Sequence, residues 1–118
     1  MPHFEVRTLS GDVLDYSTIW QRTNLVLVAL PQAGSGAGFL RALTALDLVF
    51  QEHDAVCVVT RDCIPGLPAP AALVADRWGE VVHIATPSQV EDLPVASELL
   101  DWLEYVARRC PECEGEAR

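Results

Sequence analysis

The sequence predicts a single α/β domain built on a mixed central sheet, and three observations carry that prediction. Two buried apolar runs, Leu25–Leu30 and Val56–Thr60, flank one helical segment, the spacing of a parallel strand-helix-strand unit. Two shorter runs, Ala71–Ala75 and Glu80–Ala85, are joined only by Asp76-Arg77-Trp78-Gly79, a connection that suits an antiparallel hairpin and is too short for a parallel crossover. The chain then closes in an amphipathic helix.

In order, Phe4–Leu14 alternates loosely around Ser10-Gly11-Asp12 and reads as a short hairpin or an extended opening segment. Leu25–Leu30 is apolar on both faces, as a strand covered on both sides must be. The glycine-rich stretch Pro31–Gly38 leads into a Leu- and Ala-rich helix, Phe39–Gln51, and Asp54 marks the turn into the second strand. Arg61–Pro70 holds three prolines and a glycine, so it is a loop. The closing helix, Pro94–Arg109, sets Val95, Leu99, Trp102, Leu103 and Val106 against Glu98, Asp101, Glu104 and Arg108, with Arg108-Arg109 at the end where the helix dipole favours cations. These limits give a domain over residues 1–109 and an acidic tail over 110–118.

The 118 residues carry 8 basic and 17 acidic side chains, a net charge of -9, and 50% of them are hydrophobic, enough for a core. Every basic residue is an arginine, scattered singly except at Arg108-Arg109. No basic stripe is available to neutralise phosphates, which argues against nucleic acid and against an anionic membrane surface as partners. Leu25–Leu30 is far too short to span a bilayer, and Met1–Arg7 lacks the basic start and apolar stretch of a signal peptide, so a soluble cytoplasmic protein is expected.

The segment Pro70–Val82, P-A-A-L-V-A-D-R-W-G-E-V-V, resembles the P-x-x-F-L-I-D-x-x-G-x-V signature of the redoxin families. These are peroxiredoxins of the alkyl hydroperoxide reductase/thiol-specific antioxidant type and thioredoxin-like thiol oxidoreductases. Phe4–Leu14 is similar to their F-x-V-x-x-L-x-G opening, and Asn24–Pro31 to their central strand. The resemblance implies a thioredoxin-like fold and a thiol-redox, antioxidant role. It also places Pro70 where the families have a cis-proline beside the active site, a trans proline opening a strand being the alternative. One departure bears on activity. The families place a nucleophilic cysteine in the turn between central strand and helix, where a helix N-terminus lowers the thiol pKa. Here that turn, Pro31–Gly38, has none: Gly34 and Ala37 stand at the C-x-x-C positions, and Ser35 offers a hydroxyl without a base.

The cysteines hold what thiol chemistry there is. Cys57, inside A-V-C-V-V, reads as a buried and inert thiol. Cys63 follows the second parallel strand, and the implied topology puts it at the active-site pole beside Pro70. Near Arg61 and the amides of the glycine turn it would be partly ionised and oxidisable; an unreactive loop cysteine, with Asp62 opposing ionisation, is the alternative. Cys110-Pro111-Glu112-Cys113 has the spacing of a redox couple or of half a four-sulfur zinc or iron site, and resembles the knuckles of rubredoxins and zinc ribbons. Two exposed thiols on a frayed end are the plainer alternative, and the implied topology places them at the pole opposite Pro70 and Cys63.

Gly34-Ser35-Gly36-Ala37-Gly38, with Asp62 further on, offers a rival reading as a dinucleotide-binding turn. Phe39 occupies the place of its third glycine, and a hairpin replaces the next strand-helix repeat. His3, His53 and His83 show no ligand spacing. Two functional expectations follow: an atypical redoxin whose residual thiol activity centres on Cys63, or a non-catalytic binding or scaffolding module, its glycine turn able to hold a small anion on the amides of Gly36–Gly38. Ala45, Leu48 and Val49 add apolar surface outside the core stripe Phe39, Leu43, Leu46 and Phe50, so a homodimer or larger assembly through helix 39–51 is expected unless the N-terminal segment covers that face.

Overall fold

The computed structural model describes residues 4–9, 11–30, 37–62, 64, 66–68, 70–89 and 92–117, with side chains described up to Val106. Strand β3 (Asn24–Ala29) pairs in parallel with β4 (Ala55–Thr60), from Asn24 opposite Ala55 to Ala29 opposite Thr60. On its other side β3 pairs antiparallel with β5 (Ala71–Ala75), which pairs antiparallel with β6 (Val81–Ala85). The order β4-β3-β5-β6 is the mixed sheet that the sequence predicts. Strands β1 (Glu5–Arg7) and β2 (Val13–Asp15) form a separate hairpin, followed by a 3-10 turn, Tyr16–Thr18, in which the Asp15 carboxylate accepts the Ser17 amide at 2.9 Å.

Alternation along β3 explains why it is apolar throughout. Leu25, Leu27 and Ala29 face one way and pack with Phe4, Val6, Tyr16 and Ile19; Val26 and Val28 face the other and pack with Leu43, Phe50, Leu99 and Leu103. The N-terminal hairpin therefore covers the sheet face opposite the helices. Toward helix 39–51, among the described residues of the N-terminal segment, Leu9 lines a groove shared with Leu40, Leu43 and Leu48, while Leu48 stays 74% exposed.

Three boundaries differ from expectation. The helix expected over Phe39–Gln51 is two: α1 (Ala37–Ala45) and α2 (Asp47–Glu52). Between them Leu46 has φ -98° and ψ 5°, and its amide bonds to Leu43, three residues back, at 3.1 Å. Asp47 then opens α2 where a helix N-terminus favours a carboxylate, which also accepts from Gln51 Nε2 at 2.9 Å. Helix α3 (Ala96–Ala117) starts after Pro94, so Val95, expected on the buried face, lies ahead of the helix and is 63% exposed. Its carbonyl accepts the Glu98 and Leu99 amides. At the other end α3 continues past Arg109, although Pro111 supplies no amide donor, so Arg108 and Arg109 are not in its last turn. Leu99, Leu103 and Val106 are fully buried, while half-buried Trp102 stacks on His83 with ring centroids 4.7 Å apart.

Candidate functional site

The parallel strands β3 and β4 and the start of β5 converge at one pole. Leu30 follows β3 there, Thr60 ends β4, and Pro70 precedes Ala71, the partner of Ala29. All three are buried. The Leu30 amide donates to the Thr60 carbonyl at 2.9 Å, and Arg61 Nη1 donates to the Leu30 carbonyl at 2.8 Å. A guanidinium is thus anchored where the chain leaves β3. Thr60 Oγ1 donates to the Arg7 carbonyl at 2.7 Å and accepts the Asp62 amide at 2.9 Å; Asp62 Oδ2 accepts the Arg7 amide at 2.7 Å. These bonds latch β1 to the end of β4. They also give Asp62 a structural task, and the hairpin β5-β6 replaces the second strand-helix repeat that dinucleotide binding would need.

Cys63 itself, the turn 31–36 and the side chains of Cys110 and Cys113 lie outside the described residues. The backbone of α3 includes Cys110 and Cys113, where the sequence leads one to expect a frayed tail. Gly38 lies in the first turn of α1, and a Cβ there would meet nothing within 4 Å, so crowding does not account for that glycine. Among the described residues no group of three or more His, Cys, Asp and Glu could hold a metal ion.

Cys57 is a free cysteine, and only partly buried where the sequence predicts burial. Burial nevertheless pushes its thiol up to about 12, with the nearby Asp47 carboxylate adding to the effect. The inert character holds, for reasons of desolvation and charge. Sequence reasoning missed its setting. β4 is an edge strand, and Cys57 and Val59 line two grooves beside it, one of about 450 Å3 against the hairpin and one of about 370 Å3 against α1 and α2. The sequence carried no local signal for this setting, because which strand ends the sheet is decided by the assembled strand order.

The turn of the motif that carries the resemblance, Asp76–Glu80, sits at the other pole and is a folding device. Asp76 is buried, and its Oδ1 accepts the amides of Trp78 and Glu80, each at 2.9 Å, while Gly79 has φ 86°. Asn24 ties this turn to the sheet, accepting the Arg77 amide at 3.0 Å and donating to the His53 carbonyl at 3.0 Å. Tyr16, whose hydroxyl faces the turn, has its pKa raised by burial and then by Asp76.

No helix of the described residues is long and apolar enough to cross a membrane. No family model matches the chain, and neither does any curated protein. Solved structures do. AhpC of Mycobacterium tuberculosis superposes with a TM-score of 0.69 at 11% identity, over 90% of this chain and 89% of that one. The peroxidoxin BcpB of the same organism gives 0.63 at 16% identity, over 90% and 94%. A thioredoxin-like protein from Porphyromonas gingivalis gives 0.52 at 12% identity, over 92% of each chain. With a mixed four-stranded sheet, an antiparallel hairpin and a closing helix, this chain has the thioredoxin-like fold of the peroxiredoxins.

Proposed function

We propose that the protein is an atypical redoxin whose thiol-redox, antioxidant role runs through Cys63. The observation that carries this reading is Arg61, held by Leu30 at the pole where β3 and β4 end and two residues before Cys63. A neighbouring guanidinium favours thiolate. The thiolate attacks one oxygen of a hydroperoxide, the O–O bond breaks, and the alkoxide leaves and takes a proton, so sulfur is oxidised to sulfenic acid and the peroxide reduced to an alcohol. A small-molecule or protein thiol then displaces water to form a mixed disulfide, and a second thiol releases Cys63. In this reading Pro70 shapes the pole and is not a reactant. The test is residue-resolved trapping of sulfenic acid at pH 7 after one equivalent of hydrogen peroxide. Cys63 is expected to be trapped and Cys57 not. Equal, slow thiol labelling of Cys63 with and without peroxide overturns the reading.

A second reading, a non-catalytic binding or scaffolding module, draws on the cysteine-free turn Pro31–Gly38 and on the thiol of Cys57 being far too basic to serve instead. Sustained thiol peroxidase turnover eliminates it. Either role suits a cytoplasmic protein. Self-association through helix 39–51 is supported by Leu48, 74% exposed on α2 beside exposed Ala45, although Val49 is half-buried.

A further inference from the structure

β4 ends the sheet, and among the described residues its outer edge is bridged only at Thr60, by Thr8. Ala55–Val59 has no charge and no proline, and it pairs with β3 in unbroken register. Charge, proline and bulges are among the devices by which edge strands resist pairing with a foreign strand, and Ala55–Val59 has none of these three, though Thr8 and Leu9 lie beside the Thr60 end of β4. A groove runs along each side of it. Leu9, Val13 and Leu14 wall the groove against the hairpin; Leu9 again, with Leu40, Leu43 and Leu48, walls the groove against the helices. Successive side chains of a strand point to opposite faces, so an extended segment laid along β4 would send alternate side chains into the two grooves. Among the described residues each groove is lined by one charged side chain, Asp12 in the first and Asp47 in the second, and both are acidic.

We propose that the open edge of β4 is a docking site for an extended segment of a basic partner protein. The segment adds as a new edge strand, its branched apolar side chains filling the two grooves and its arginines or lysines facing Asp12 and Asp47. Main-chain hydrogen bonds supply affinity and the grooves supply selectivity. Charge argues against a second copy as the occupant. The chain carries a net -9, and Ala55–Val59 brings no cation to meet Asp12 and Asp47. The proposal does not depend on the chemistry of Cys63.

The full-length protein is titrated with a capped peptide of alternating valine and threonine flanked by arginines, and with the same peptide carrying glutamates instead, while amide exchange over 55–59 is followed by NMR. Saturation with the arginine peptide is expected to slow those amides by about tenfold or more. The Asp12→Asn/Asp47→Asn variant is expected to bind it about fivefold more weakly at low salt. Leu48→Arg, at an exposed rim, provides a second variant that weakens binding through like charge. Unchanged exchange at saturation overturns the proposal, as does equal affinity for the glutamate peptide. Slowing of the same amides with protein concentration alone also overturns it, since a second copy is then the occupant.

Discussion

Cys57 and Asp47 lie on facing elements, and together they decide what this thiol can do. A thiol raised to about 12 holds on the order of a thousandfold less thiolate at pH 7 than an unperturbed cysteine. Iodoacetamide should therefore alkylate Cys57 in the folded protein slower by about that factor than in the urea-unfolded chain, read peptide by peptide. Asp47→Asn should recover only a small part of the rate, because burial is the larger cause. The same shift sets a pH dependence. The folded state holds this proton more tightly than the unfolded one, so the stabilisation is complete below the ordinary value of 9.0 and is lost as pH rises toward about 12. Tyr16, raised from 10.0, loses stability in an overlapping range. A Cys57→Ala variant should show a shallower decline in denaturation midpoint over that window, and an unchanged slope would assign the decline to Tyr16 and other groups.

At the scale of elements, the β5-β6 hairpin was readable because its turn chemistry is local. Asp76 three residues before Gly79 states both the amide acceptor and the residue able to take φ 86°. Gly79→Ala should destabilise the protein by about 1–2 kcal/mol, since alanine at that φ is strained. Its Cβ would also stand 3.3 Å from the Tyr16 hydroxyl, tight contact for a side chain that is fully buried. Chemical denaturation reads this directly, and a midpoint equal to the parent's would show that the turn relaxes. The break at Leu46 was not readable in the same way. No glycine or proline marks it, and leucine there continues the helical pattern, while Leu43 before the break and Phe50 after it are buried in the same cluster. Val95 was misplaced for a related reason: helical spacing assigns it to the buried face, but the face begins only where the helix does.

Across the whole molecule, the pole that gathers Leu30, Thr60, Arg61 and Pro70 was legible through the topology that the family resemblance implies, whereas the Arg61–Leu30 bond and the exposed edge of β4 needed the sheet assembled in space. The tail poses a question of assembly. Cys110 and Cys113 stand three apart on α3, neighbours on a helix, and supply two sulfurs where a tetrahedral zinc or iron site takes four ligands. Metal at this motif therefore requires recruitment of other ligands or a second chain, and the second chain can serve only with both tails near a two-fold axis. Glu112, Glu114 and Glu116 would favour a cation there and oppose the meeting of two bare tails, so association through the tail should depend on the metal. Protein purified without chelator is then expected to carry about half an equivalent of zinc per chain. It should sediment as a dimer that chelation dissociates, and Cys110→Ser/Cys113→Ser should lose both properties. Zinc retained by the variant would move the site elsewhere. A metal-free dimer that survives the variant would instead point to the exposed Leu48 face of α2. Protein without metal, with a bond between Cys110 and Cys113 found by mass, would make the motif a local disulfide that adds little stability because the loop it closes is so short.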